Sequence, residues 1–394
     1  MNFVTKKAYS SLAILAAVLC LGIAQTTLAA DASNAFVLSL VQKVAAAHAP
    51  ASKKTAVTTT TSPKKGAVPS SSSKTTSSPA KNVANTTSSS KDSLSSLIAA
   101  QGAKPITDTG LNEATRNALV NILCTTKAGG YFRPISGSGV VIDPRGVILT
   151  NAHVAQYMLL KDYLVPGFVS CTIRTGSPAV ATYTAKLLYV PPTWVAQNAH
   201  YLTSSTPLGS GQYDFALLAI TGTVSPDAPM PASFSYLPVN SALDVASANY
   251  PVLIGGYPAE FVGNVLTQKD LYAVTSQATL TQAYYYEGDD PDTIDLYSLS
   301  PTILAQAGSS GGAVTSRLDG NLIGILVTTT SGSTTAQKVL NAVNIAHINR
   351  TLKTLTGTTL GEFLKGDLAE KTRTFEETSY PALRDLLIAA IQQG

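Results

Sequence analysis

Residues 146–154 read GVILTNAHV: a glycine, an apolar run, then a histidine, His153, at the end of the run. The same texture recurs from about residue 113, in NALVNILC, SGVVID, AKLLYV, FALLAI, PVLIGGY, LYAVTS, GAVTS and NLIGILVTT. Gly, Pro, Asp and Ser separate these runs. Many short segments rich in Val, Ile, Leu and Thr, broken by frequent turn signals, point to an all-β barrel or sandwich and not to alternating strands and helices. Helical spacing returns only at the end, over Leu352–Leu364 and Tyr380–Ile391, the latter with Leu383, Leu386, Leu387 and Ile391 on one side.

Two further patterns complete the chemistry that His153 suggests. YDFALLAI (213–220) puts Asp214 at the head of a buried-looking strand, and AGSSGGAV (307–314) sets Ser310 among Gly308, Gly311 and Gly312. A serine hydroxyl is a weak nucleophile until an imidazole takes its proton. The imidazole needs a carboxylate to fix its tautomer and stabilise its cation. A developing oxyanion needs backbone N–H donors from a tight turn, which glycines permit. Gly308 and Ser310 are the natural donor pair. His153 has its bland reading as a core histidine, Asp214 as a turn cap and Ser310 as part of an inert Gly/Ser turn. The other histidines lack such flanks: His48 borders a polar stretch, His200 lies in a polar loop and His347 falls in a strand.

These residues, in this order and with these flanks, resemble the chymotrypsin/trypsin-like serine peptidases, and most of all the bacterial HtrA (Deg) type. TNAHV resembles the family's histidine motif, DFALL its aspartate motif, GSSGG its nucleophile motif, and Gly137–Val154 its first hairpin. His153, Asp214 and Ser310 stand 61 and 96 residues apart, which leaves room for two six-stranded β-barrels with the site between them. The resemblance covers about residues 115–352. It implies His153, Asp214 and Ser310 as a catalytic triad, peptide or protein substrates, and no cofactor or metal. By the same motif alignment the floor of the S1 pocket falls at Leu304 and Ala305 and its wall at Val327, Thr328 and Thr329. None of these is acidic, so a small or apolar P1 residue is expected over Lys or Arg.

Two departures from the family matter. Ser309 stands where the trypsin branch has an Asp that pairs with a liberated N-terminus, so activation by that route is not expected. Residues 353–394 are too few for the PDZ domain that HtrA proteins usually carry, and the last helix is expected to pack on the barrels.

Composition narrows the partners. Hydrophobic residues make up 45% of the 394 and charged residues 13%, enough apolar material for a sizeable core. The formal net charge is +4, yet residues 1–95 hold 10 of the 27 Lys+Arg and only 2 of the 23 Asp+Glu. The remainder carries 17 basic against 21 acidic residues, a formal −4, so nothing in the charge of the folded part points to nucleic acid. Lys6 and Lys7, the apolar run Leu12–Ala24 and the small residues Thr27–Ala30 read as a secretory signal over 1–30. That run is too short to span a bilayer, and a lipid-anchored reading at Cys20 is opposed by Leu19. An exported product is expected, free or tethered at its N-terminus. An amphipathic helix is expected over 31–48, with Phe36, Val37, Leu40, Val41 and Val44 on one stripe. Residues 49–95 are almost entirely Ser, Thr, Ala, Pro and Lys, which cannot bury enough to order themselves, and read as a disordered linker. The peptidase-like domain is placed at 113–356 and a helical extension at 357–394.

Three further features stay open. Cys124 and Cys171 remain after signal removal; export permits a disulfide between them, but sequence does not show the closeness it needs. Tyr284–Asp292 joins aromatics to acids, either as a solvated hairpin tip or as oxygen ligands for calcium, with no EF-hand spacing. The insertion 190–210, with Trp194 and Tyr201, either rims the cleft or covers a barrel end. The function expected is an exported serine endopeptidase. Its rivals are a non-catalytic peptide-binding envelope protein and an esterase-like acyl hydrolase on the same fold.

Overall fold

The computed structural model describes residues 107–127, 134–203, 211–241, 248–259, 270–286, 293–329 and 339–393. The signal segment, the 31–48 helix, the 49–95 linker and the acidic residues 287–292 lie outside them. Twelve strands form two closed antiparallel barrels. The first holds β1 (Leu119–Thr126), β2 (Ile135–Asp143), β3 (Val147–Thr150), β4 (Val169–Thr175), β5 (Val180–Tyr189) and β6 (Ala216–Thr223), in the order β1-β2-β3-β6-β5-β4. The second holds β7 (Pro251–Gly256), β8 (Val274–Tyr284), β9 (Leu296–Leu299), β10 (Ala313–Ser316), β11 (Leu322–Thr329) and β12 (Leu340–Asn344), in the order β10-β11-β12-β9-β8-β7. This is a chymotrypsin-like fold.

The apolar runs are continuous because several strands are buried on both faces. Side chains alternate across a strand. On β3 and β6, Ile148, Ala216, Leu218 and Ile220 fill the first barrel with Val120, Ile122 and Val141. Their neighbours Leu149, Phe215 and Leu217 turn outward into a seam between the barrels. There they meet Tyr257, Leu296, Ala313, Ile325, Val327 and Val343 of the second half. The second barrel's own core contains Val252, Ile254, Tyr297, Val314, Ile323, Leu326 and Leu340. The seam places the ends of β3, β6 and β10 beside one another, where the three motifs lie.

Several expectations are corrected. The chain enters the first barrel through a helix, Asp108–Ala118, which takes the first two residues of the run NALVNILC (117–124) before β1 begins. Thr107 caps it by accepting a hydrogen bond from Gly110 N–H, and Leu111, Thr115 and Ala118 form its buried stripe. The apolar continuation into Leu119 masks that boundary in the sequence. Short helices also occur at Ala152–Ala155 and Pro192–Asn198, so helix is not confined to the end. The helix expected from Leu352 begins at Ile345 and runs to Thr356, and it takes His347 with it. Its cap explains the shift: the Asn344 side chain accepts from Ala346 N–H, and Gly357 closes the helix at φ 79°.

The last helix, Tyr380–Gln393, lays Leu383 and Leu387 into the first barrel's cluster, which also holds Trp194, Val195 and Leu202. The described part of the 190–210 insertion thus covers an end of that barrel together with the C-terminal helix. A disulfide joins Cys124 and Cys171, which stand directly opposite each other in the β1–β4 ladder. No helix among the described residues is long and apolar enough to cross a membrane.

Candidate active site

His153 lies in the one-turn helix Ala152–Ala155, immediately after β3. Asp214 lies two residues before the start of β6 and is 2% exposed. Since β3 and β6 pair with Thr150 opposite Ala216, the two residues are neighbours across the ladder. Asp214 grips His153 twice. Its Oδ2 lies 2.8 Å from His153 Nδ1, and its Oδ1 accepts the His153 backbone N–H at 2.9 Å. Asn151 Nδ2 donates to the Asp214 carbonyl at 2.8 Å, fixing the main chain beneath the carboxylate. An ionised carboxylate only accepts, so Nδ1 carries the hydrogen and Nε2 is left with its lone pair. Burial works against an imidazolium here, but the Asp214 charge and its hydrogen bond outweigh that and hold the pKa of His153 above the ordinary 6.5.

The loop before Asp214 is tightly wound. Gly211 has φ 86° and Tyr213 φ 59°, a left-handed conformation uncommon for an aromatic residue. Asp214 N–H donates to Gly211 O and Phe215 N–H to Tyr213 O. Such backbone strain clusters at functional sites.

The nucleophile turn shows an alternation of its amides. Ser309 N–H donates to Gln306 O, Gly311 N–H to Leu326 O and Gly312 N–H to Ser309 O. Gly308 N–H and Ser310 N–H donate to no described residue. The peptide bearing the Gly308 amide is held from the other side, because Ala307 O accepts Ala259 N–H at 2.8 Å. A trans peptide is planar, so fixing that carbonyl aims the Gly308 N–H in the opposite direction. Glycine is required at two points. At Gly308, φ is 93° and a Cβ would lie 2.6 Å from Tyr257 O; at Gly311, φ is 85° and a Cβ would lie 2.0 Å from Ser138 O.

The histidine and serine turns share a support on β2. A Cβ on Gly137 would strike Val154 at 2.5 Å, while Ser138 N–H donates to Ser310 O at 2.7 Å. Adjacent residues of one strand therefore touch the two motifs. Ser310 is partly exposed, and its Oγ makes no hydrogen bond to a described residue in this structure.

Elsewhere the expected positions fare differently. Leu304 and Ala305 are fully buried in the second barrel's core with Leu326 and Leu340, so they do not floor an open pocket here. Val327 is buried in the seam between the barrels, and Thr328 and Thr329 end β11. His200 lies in a short 3-10 turn against Tyr201. His347 belongs to a second, buried pair with Asp295 that sequence reading missed. No group of three or more His, Cys, Asp or Glu among the described residues is placed to hold a metal ion. Ser138, flanked by Gly137 and Gly139, was also passed over; the paired glycines, which signal close backbone approach, were the available clue.

Residues 137–325 match the family model described as the trypsin-like peptidase domain, and this part of the chain is a trypsin-like peptidase domain. Such a domain acts as a hydrolase on peptide substrates. Among solved structures, the active form of the Rv3671c protease from M. tuberculosis is similar, at 21% identity and a TM-score of 0.37, over 62% of this chain and 84% of that one. No curated protein matches the chain.

Proposed function

We propose that this protein is an exported serine endopeptidase in which Ser310 is the nucleophile, His153 the general acid and base, and Asp214 its orienting partner. The observation that carries this reading is the pair of uncommitted amides, Gly308 N–H and Ser310 N–H, in a turn whose other amides are bonded. Together with an imidazole whose Nε2 is unprotonated, they supply what acyl transfer requires. His153 Nε2 removes the Ser310 proton as Oγ attacks the substrate carbonyl, and the oxyanion forms against the two amides. His153 then passes the proton to the leaving amine as the C–N bond breaks. A water repeats the sequence on the acyl-enzyme and restores Ser310.

A small or apolar P1 residue is part of the proposal on motif alignment alone, since Leu304 and Ala305 are core residues in this structure. Export is supported by the 1–30 signal pattern and by the Cys124–Cys171 disulfide, since such bonds persist in oxidising compartments. The test is hydrolysis of a mixed peptide library and of matched ester substrates, with cleavage sites mapped by mass spectrometry. Internal cleavage of peptides, absent in Ser310→Ala, is the expected result. Ester turnover alone would indicate the acyl hydrolase, and tight peptide binding without cleavage the binding protein.

A further inference from the structure

Ser138 is fully buried, and all four of its hydrogen-bonding groups reach elements of the site. Its N–H donates to Ser310 O at 2.7 Å, and its carbonyl accepts from Thr150 Oγ1 at 2.7 Å. Its Oγ lies 2.7 Å from Gly308 O and 2.8 Å from Tyr257 N. The direction of the hydroxyl hydrogen follows from the partners. Tyr257 N–H can only donate and Gly308 C=O can only accept, so Ser138 Oγ–H points at the Gly308 carbonyl.

The consequence falls on the two residues whose amides are uncommitted. Ser138 holds the carbonyl of both, Gly308 through its hydroxyl and Ser310 through its N–H. Gly308 is then clamped on both sides, since Ala259 N–H fixes the peptide before it and Ser138 Oγ the peptide after it. Glycine has no Cβ to resist rotation; a flip of the Ala307–Gly308 peptide would turn the Gly308 N–H away from the oxyanion, and Ser138 Oγ opposes it from the next peptide by fixing the other side of Gly308 Cα. The clamp also bridges the halves of the molecule, joining β2 of the first barrel to a turn 170 residues later.

We propose that Ser138 is a positioning residue that keeps the Gly308 and Ser310 amides aimed at the oxyanion. The proposal rests on the peptidase reading of the site. Ser138 touches neither substrate nor the His153–Asp214 pair; removing its hydroxyl releases the Gly308 carbonyl and the Tyr257 N–H and leaves the histidine in place.

The test is Ser138→Ala. With a peptide substrate, kcat is expected to fall roughly 10- to 100-fold with KM little changed, less than the ~10²–10³ that follows deletion of a whole oxyanion donor. Affinity for a peptide boronic acid, whose tetrahedral adduct occupies the same hole, falls by the same factor. The pH midpoint of kcat/KM stays in place because the histidine is untouched. Amide hydrogen exchange, which needs no turnover, becomes faster over 308–312 and is unchanged over 151–154. Should the alanine variant fail to fold, Ser138→Cys keeps the volume and a weaker donor, and an intermediate loss is expected.

Wild-type rates, unchanged boronate affinity and unchanged exchange in a folded variant would overturn the proposal, as would a loss of kcat with a shifted pH midpoint. A wild-type enzyme that cleaves nothing tells against the peptidase reading instead. The exchange comparison still decides whether Ser138 holds the turn.

Discussion

Among the described residues, two histidine–aspartate pairs share nearly the same geometry. His153 Nδ1 meets Asp214 at 2.8 Å and His347 Nδ1 meets Asp295 at 2.6 Å. What differs is the far side of each ring. The His153 side chain is 34% exposed, and its Nε2 is not engaged by any described residue. The His347 side chain is 4% exposed, with Thr351 Oγ1 3.3 Å from Nε2 and the Tyr286 ring edge-on against it. Asp295 also receives Arg350 and the Tyr286 N–H, while its carbonyl accepts Asn344 N–H. This second cluster ties the start of β9 to the helix that follows β12. A pairing with carboxylate therefore does not by itself make a base. In the proposed function the unengaged Nε2 of His153 serves as the base, whereas the sealed His347 ring is a structural tie.

The widest separation between the pairs is expected in turnover. His153→Gln should lower kcat by about 10⁶-fold. Its thermal unfolding should stay close to that of the wild type. His347→Gln should leave kcat within a few-fold at a temperature where it is folded. Peptide assays alongside calorimetry on both variants check this. Asp214→Asn comes next, at about 10⁴-fold in kcat, because the amide favours the wrong histidine tautomer; the same assay reads it.

The complementary change is Asp295→Ala, which removes the buried carboxylate that pairs with Arg350 and accepts hydrogen bonds from His347 and the Tyr286 N–H. Breaking such a pair costs about 3–5 kcal/mol. For a domain of this size that lowers Tm by roughly 6–20 °C, which differential scanning calorimetry would detect.

Smaller effects appear in pH dependence, with different signs. His153 acts as a base only when neutral, so kcat/KM should rise with pH through a midpoint above 6.5. Its contribution to stability runs the other way, full below 6.5 and lost as pH rises through the raised value. Burial opposes the charge on Asp295, but hydrogen bonds from His347, Tyr286 N–H and Arg350 prevail and bring its pKa down to about 2. Its stabilising contribution should therefore be complete above 3.8 and fade as pH falls toward about 2. Acid unfolding of wild type and Asp295→Asn, followed by circular dichroism, should differ in that window.

The two pairs also differ in how well the sequence revealed them. His153, Asp214 and Ser310 each sit in a short local motif, and the strands around them are marked by unbroken apolar runs that arise from burial on both faces. His347 lies in NAVNIAHIN, whose apolar content suits strand or helix equally; the boundary is set by the Asn344 cap. Asp295 and His347 are 52 residues apart, without any flanking signature. Ser138 shows in the sequence only as a serine between two glycines, since its role consists of contacts with residues more than 100 positions away. Leu304 and Ala305 show the reverse difficulty. Motif alignment places them near the pocket, but only the packing shows them to be core.

The most direct test of the contrast is the rate of labelling by a fluorophosphonate probe in wild type, His153→Gln and His347→Gln, with the modified residue identified by mass spectrometry. We expect one label, on Ser310, formed at similar rates in wild type and His347→Gln and slower by orders of magnitude in His153→Gln. Labelling at another residue, or equal rates in the two histidine variants, would contradict the assignment of Ser310 and His153 as the reacting pair.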